Sequence, residues 1–496
     1  MLKQKFLVQF GSNISLRILG MISGIVLARV AGPEVLGTIA YATAYVGIFG
    51  FITGLFGTGN IKLISEGKDL GDNLATYSRL QIIAIIIFFF SVLVWFAIQK
   101  YILIHQFESK IHEQVIIITL FSMVITKLIQ FSDSTFTGQL KQAKANLPNI
   151  VKGILFQLGK IVVVLLGFKA VGLVSWNLLT GIIVLPIAIN LFRSLPYGKY
   201  SKELAKNYLK ISIPVFLIVV LNSVIAYSDK LILQHYTNST ELGYFAVAFS
   251  LGGMILILGS TMGIVFFPLF SKYIKENNWE NLNNKINKFQ IFLANFILPF
   301  ICLLGIIAEP LLLGILGDKY QNSVIPFILM IYASYISIVG MPYGNILSGM
   351  GKFYLNFWLK LLKFLFYIIS VIYFVSTEYL GLGAIGLAMN LLSVNIFHNI
   401  LVIFTSRRIG KLKINYQVLL TYAVLLILVL ISYLIVVPFL KDITKYWWVI
   451  FPPIFLIIVF SLLNSLNLIT KKQVIQLFQI INPKLTYNYI KEEMNE

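Results

Sequence analysis

The feature that most limits what this chain can become is a series of apolar segments, each about as long as a bilayer is thick, repeated from end to end. A helix needs about 20 apolar residues to cross the hydrocarbon core. Such stretches lie near 7–31, 38–61, 80–99, 114–137, 150–168, 171–192, 211–236, 243–270, 289–316, 322–349, 354–375, 381–405, 417–439 and 447–469. In lipid each segment has to satisfy its own backbone N–H and C=O groups, so helices are expected; the alternation of a membrane barrel is missing. Charged residues are 12% of the 496-residue chain, about half the share usual in a soluble protein. The expected fold class is all-α integral membrane with about fourteen transmembrane helices.

The formal charge of +20 would point to nucleic acid in a soluble protein. Here its distribution matters more than its sum. With the N-terminus taken as cytoplasmic, 28 of the 39 basic residues fall in inside segments and 6 in outside segments. That bias sets a topology in which both termini are cytoplasmic, in a multi-pass inner-membrane protein. Lys3 and Lys5 precede the first apolar run as they would in a signal peptide. The run continues through Arg17 to Val30 without a small-residue cleavage pattern, so it reads as a retained helix. Cys302, the single cysteine, allows no disulfide, and the histidines are scattered. No Gly-rich phosphate loop is present, so the chain is expected not to be an enzyme and to need no cofactor.

An internal repeat appears at an offset of 206, with Leu36/Leu242, Gly37/Gly243, Ala40/Ala246, Gly47/Gly253 and Ser65/Ser271 among the matches. The copies lie six spans apart and therefore share an orientation, as in transporters built from parallel repeats. The expected organisation is a six-helix lobe over 1–193, a cytoplasmic linker over 194–210 and a second six-helix lobe over 211–413. Two further helices over 414–470 and a cytoplasmic amphipathic tail over 471–496 complete it.

Five basic residues fall inside spans, Arg17, Arg29, Lys127, Lys160 and Lys230, against two acids, Asp133 and Asp229. Each ionisable group in mid-membrane costs a few kcal/mol even on the most lenient scale, so the surplus of cations calls for a use. Asn13 and Arg17 share a helix face with Gly20, Gly24 and Ala28. Arg17 either faces a cavity or pairs with Asp133 or a backbone carbonyl. Lys127 and Lys160, at mid-span, must face protein or water, pair, or lose a proton. Asp229 and Lys230 diverge by about 100° around their helix, so they are expected to face different surroundings or to bridge the lobes. Arg29 sits beside the outer interface, where headgroup contact, helix capping and substrate contact are all open. Asp133 is either solvated, paired, or a site for a coupling proton or Na⁺. The glycines at 47, 50, 54 and 57 read first as helix packing.

Arg29-Val-Ala-Gly-Pro-Glu-Val-Leu-Gly37, followed by Tyr41-Ala, resembles the opening signature of polysaccharide biosynthesis proteins of the multidrug/oligosaccharidyl-lipid/polysaccharide exporter superfamily. Further resemblances are Asp229-Lys230-Leu-Ile-Leu233, Phe267-Pro-Leu-Phe-Ser271, Ile346-Leu-Ser-Gly-Met-Gly-Lys352 and Gly381-Leu-Gly-Ala-Ile-Gly386; they run over about 7–410. The resemblance implies two six-helix lobes with an alternating-access cavity. Its implied substrate is an oligosaccharide on undecaprenyl diphosphate, moved from the cytoplasmic to the periplasmic leaflet. O-antigen, lipopolysaccharide, capsule and exopolysaccharide pathways are all compatible, with polymerase or glycosyltransferase partners. An H⁺ or Na⁺ gradient is the open question on energy. The residues expected to meet substrate are Arg17, Lys127, Lys160, Lys230, Arg29 and Asn13, with Asp133 and Asp229 as ion-coupling candidates. Rival readings are an ion-coupled drug exporter and a membrane polymerase or acyltransferase. The topology is open to direct test: alkaline phosphatase fused within 237–239 should be active, and fused within 194–210 inactive. The opposite pattern would contradict the charge reading.

Overall fold

The computed structural model describes residues 2–66, 69–102, 107–139, 141–410, 412, 416–443 and 447–469, and the expected amphipathic tail lies outside them. Among the described residues every regular element is helical. The long segments are α1 (Leu2–Ala31), α2 (Pro33–Ser65), α3 (Leu70–Ile102), α4 (Lys110–Gly138), α5 (Gln142–Leu165), α6 (Ala170–Arg193), α7 (Lys202–Tyr236) and α8 (239–275). They continue with α9 (Trp279–Ile306), α10 (Asp318–Gly349), α11 (Tyr354–Val375), α12 (Gly383–Gly410), α13 (Tyr416–Leu440) and α14 (Trp447–Ser465). Eleven of these, all but α1, α7 and α8, are long and apolar enough among the described residues to cross a membrane. On α3, Gln81, Ala84, Ile85 and Phe88 are buried while Ile82, Ile83, Ile86 and Ile87 are exposed. An apolar outer face is what a lipid solvent selects.

The chain forms two compact units, 1–247 with 371–387 and 248–370 with 388–496. In the first, Gly32 takes a φ of 87° and hands the chain to Pro33, a residue preset for the first helical turn. α2 is then interrupted around its glycines, with a 3₁₀ turn at Ile48–Gly50 and a fresh helical start at Gly57. The break frees the Thr53 carbonyl, which accepts a hydrogen bond from Gln81 Nε2 at 2.9 Å. Below it Asn60 donates to Ser134 and Thr135 at 2.8 Å each and accepts from Tyr208 at 2.9 Å, tying α2 to α4 and α7. Each is a buried polar group given a partner inside the chain.

Gly37 and Gly243, matched by the repeat, are close neighbours. A Cβ on Gly37 would strike the Ser239 carbonyl and approach Gly243 N, and one on Gly243 would strike the Pro33 carbonyl. The two repeat-related glycines therefore meet backbone to backbone.

In the second unit, Phe270, Leu282, Ile286, Ile346 and Leu412 form one apolar cluster. α10 and α12 are joined through amides: Asn395 donates to the Ala333 carbonyl at 3.2 Å, and Asn399 to that of Ile336. Gly340 leaves room for Asn399. Gly243→Ala and Gly37→Ala are expected to cost about 1–3 kcal/mol through overpacking against backbone. Gly24→Ala, where nothing lies within 4 Å of the added carbon, should be neutral. Thermal unfolding of the purified proteins checks this, and equal stability of all three variants would contradict the backbone contact.

Candidate functional site

α5 carries Lys152, Phe156 and Lys160 at intervals of four, so they fall on one face. α4 runs the other way with Thr119, Ser122, Met123, Thr126, Lys127 and Gln130 on a face built from steps of three and four. These two faces line one cavity of about 550 Å³ inside the first unit, closed by Asn177 of α6, Phe88 of α3 and Tyr227 of α7. α2 contributes Gly47 and Gly50 to the wall, and a Cβ at Gly47 would press to 2.6 Å of the Tyr227 ring. The glycine stripe thus does more than pack helices: it lets α2 border the cavity with backbone.

Among the described residues three lysines and no carboxylate line this space. Lys152 Nζ donates to Thr126 Oγ1 at 2.5 Å, and Thr126 in turn donates to the Ser122 carbonyl at 2.7 Å. Lys160, only 8% exposed, has its Nζ 5.5 Å from the centre of the Phe156 ring, a cation–π contact. Lys127 lies half-buried beside them. Among the described residues none of the three is in an ion pair. The rise of about 1.5 Å per residue sets Lys152 and Lys160 about 12 Å apart along α5, a ladder of charge rather than a single point. Such an arrangement is costly alone and receptive to an elongated polyanion.

Asp133 sits at one remove. It accepts from Asn149 Nδ2 at 2.7 Å, and Asn149 Oδ1 accepts from Gln130, a cavity residue, at 3.4 Å. The carboxylate is thus held by a neutral amide and is not a partner of Arg17.

Of the residues expected to meet substrate, the structure brings Lys127 and Lys160 together in this cavity. Arg17 and Arg29 are exposed on α1, which lends only Leu27 to the wall, and the Asn13 side chain lies outside the described residues. Lys230 and Asp229 depart from expectation. Lys230 Nζ lies 3.4 Å from Asp229 Oδ1 and donates to the Ala226 carbonyl at 3.0 Å. The divergence of neighbouring Cβ atoms does not separate the charges, because a lysine stem is long enough to fold back over its own helix. Asp229 is 2% exposed, and burial leaves it little choice but a local partner. Lys152 is the cavity residue that reading the chain missed. It lies at the polar start of the apolar stretch near 150–168, and α5, which begins at Gln142, carries it into the span. The spacing Lys152-Phe156-Lys160 was the available signal.

Among the described residues no cluster of His, Cys, Asp and Glu is placed to hold a metal ion. Comparison with known proteins agrees with a transport architecture. The profile of the family described as "Polysaccharide biosynthesis protein" matches residues 26–325. No curated protein sequence matches significantly. Among solved structures, the lipid II flippase MurJ in an inward closed conformation superposes with a TM-score of 0.72 at 17% identity, covering 92% of this chain and 97% of MurJ. An inward-facing MATE-family multidrug resistance transporter of the MOP superfamily gives 0.65 at 16% identity, covering 80% of this chain and 96% of its own. A MOP superfamily transporter from Pyrococcus furiosus, whose binding pocket of reversed polarity suggests a different function, gives 0.50 at 16% identity over 83% and 94%. With 300 consecutive residues inside the family profile and this all-helical fold around them, the chain belongs to the polysaccharide biosynthesis protein family and has the MurJ- and MATE-like transporter fold.

Proposed function

We propose that the protein is a flippase that carries undecaprenyl-diphosphate-linked oligosaccharide repeat units from the cytoplasmic to the periplasmic leaflet by alternating access. The observation that carries this reading is the cavity in which Lys127, Lys152 and Lys160 stand without a carboxylate partner. A diphosphate brings negative charge spread over several oxygens. Lysine meets it as a compact, mobile point charge with three donors. In a low-dielectric setting the attraction between them is far stronger than in water, so the diphosphate supplies the neutralisation that the fold omits. The polyprenyl chain remains in lipid, and the glycan crosses with its headgroup.

The reading takes 1–193 and 211–413 as the two six-helix lobes and fourteen as the number of spans. Both termini are placed in the cytoplasm, and an H⁺ or Na⁺ gradient supplies the work, with Asp133 as the coupling candidate next to the cavity. An exporter of cationic drugs is disfavoured by the same lysines, which would repel its cargo.

Removing a charge-assisted hydrogen bond costs about 1.5–3 kcal/mol, or about 10- to 100-fold. Lys127→Gln, Lys152→Gln and Lys160→Gln should each slow translocation by that factor in proteoliposomes, read as exposure of lipid-linked oligosaccharide to an external glycosidase. Lys152→Arg should retain more activity than Lys152→Gln. Undiminished transport in all three glutamine variants at equal protein level would reject the mechanism.

A further inference from the structure

The second unit holds span lysines of its own. Along α11, Tyr354, Trp358, Leu362, Leu365 and Ile369 are exposed at steps of three and four, which makes one stripe suited to lipid. Lys360 and Lys363 fall on the opposite side of the helix, a turn apart, and both are half-buried. A lysine near the lipid boundary can snorkel back toward the surface. Lys363 does not. Its Nζ donates to Asn395 Oδ1 at 3.1 Å, and Asn395 lies near the middle of α12.

Asn395 is itself fixed from α10, because its Nδ2 donates to the Ala333 carbonyl. It gives Lys363 a hydrogen bond but no charge to balance, and two of the three ammonium donors remain. Among the described residues Lys360 has no hydrogen bond, and neither lysine is in an ion pair. His398, one turn further along α12, lies within electrostatic range of both lysines and brings no negative charge. Two cations kept this way inside a span cost free energy until an anion reaches them.

The same arrangement stands in the first unit. α5 and α11 are the fifth helices of the two proposed lobes. Lys152 lies ten residues beyond the start of α5, and Lys363 nine beyond that of α11. Each donates to a neutral side-chain oxygen near the middle of a neighbouring helix, Thr126 of α4 or Asn395 of α12. Each has a second lysine on its own helix, Lys160 or Lys360. Duplication explains the shared fold, but an unbalanced charge at matching height is a cost in both copies. A neutral ligand would leave that charge standing. A phosphoryl group brings full negative charge on several oxygens and accepts from the remaining donors. The depth of Asn395 in the span favours one that arrives on a lipid tail.

We propose that Lys363 and Lys360 bind a phosphoryl group of the lipid-linked headgroup, as the second unit's counterpart of Lys152. This rests on the flippase reading, and the test separates the two. The full chain in nanodiscs is titrated with undecaprenyl diphosphate and, separately, with inorganic pyrophosphate. Lys363→Gln should weaken binding of undecaprenyl diphosphate about tenfold, Lys363→Arg by much less, and the pair Lys360→Gln with Lys363→Gln by more than either alone. Thermal unfolding without ligand tells binding from bracing. Loss of a lysine that only ties α11 to α12 lowers the melting temperature, whereas loss of an unbalanced charge leaves it unchanged or raises it. Undiminished affinity in Lys363→Gln, or an equal loss in Lys363→Gln and Lys363→Arg, overturns the assignment. A loss confined to inorganic pyrophosphate makes the lysines a site for a soluble anion and overturns it too. In each case the flippase reading stands if Lys152→Gln still weakens the lipid. Failure of the wild type to bind undecaprenyl diphosphate overturns both.

Discussion

Inside a bilayer no water is at hand to satisfy a polar group, so each must find its partner within the chain, and much of the first unit is arranged to that end. Where the glycines break α2, Gln81 takes up the freed Thr53 carbonyl. Where Asn60 is buried, Ser134, Thr135 and Tyr208 surround it. Where Asp229 is buried, the next residue folds back to meet it. This economy makes the exceptions informative. Lys127 and Lys160 sit in the same environment without a countercharge, and the walls around them keep a cavity open. In the proposed mechanism these charges are met by a diphosphate that comes and goes.

The two cavities of the first unit differ in chemistry. One is cationic and presents flexible donors at separated heights along α5. The other is aromatic, with Glu108 among its polar groups. Both are lined by α2, α3, α4 and α7, and of these α2, α4 and α7 are joined by the Asn60 network. Their positions are therefore set by packing that tolerates little change.

Much of this was legible in the chain before any coordinates. Helices occupy all of the apolar stretches, because length and hydropathy leave a membrane segment few alternatives. The glycine of the repeat is recognisable at Gly37 and Gly243, although only packing reveals that the two touch. Of the site, Lys127 and Lys160 stood out because each lies mid-span. Lys152 escaped notice because the start of α5 is polar and reads like a loop; a helix end cannot be fixed from hydropathy when the wall it forms is itself hydrophilic. Asp229 and Lys230 were misplaced by treating side chains as fixed vectors from the backbone.

The lysines are the centre of the proposed mechanism, and a structure determined with undecaprenyl diphosphate bound tests them most directly. Phosphate density within hydrogen-bond reach of at least two of the Nζ atoms of Lys127, Lys152 and Lys160 is the expected result. Phosphates held elsewhere on the protein, with the three ammonium groups paired to carboxylates or left apart from the lipid, would contradict it.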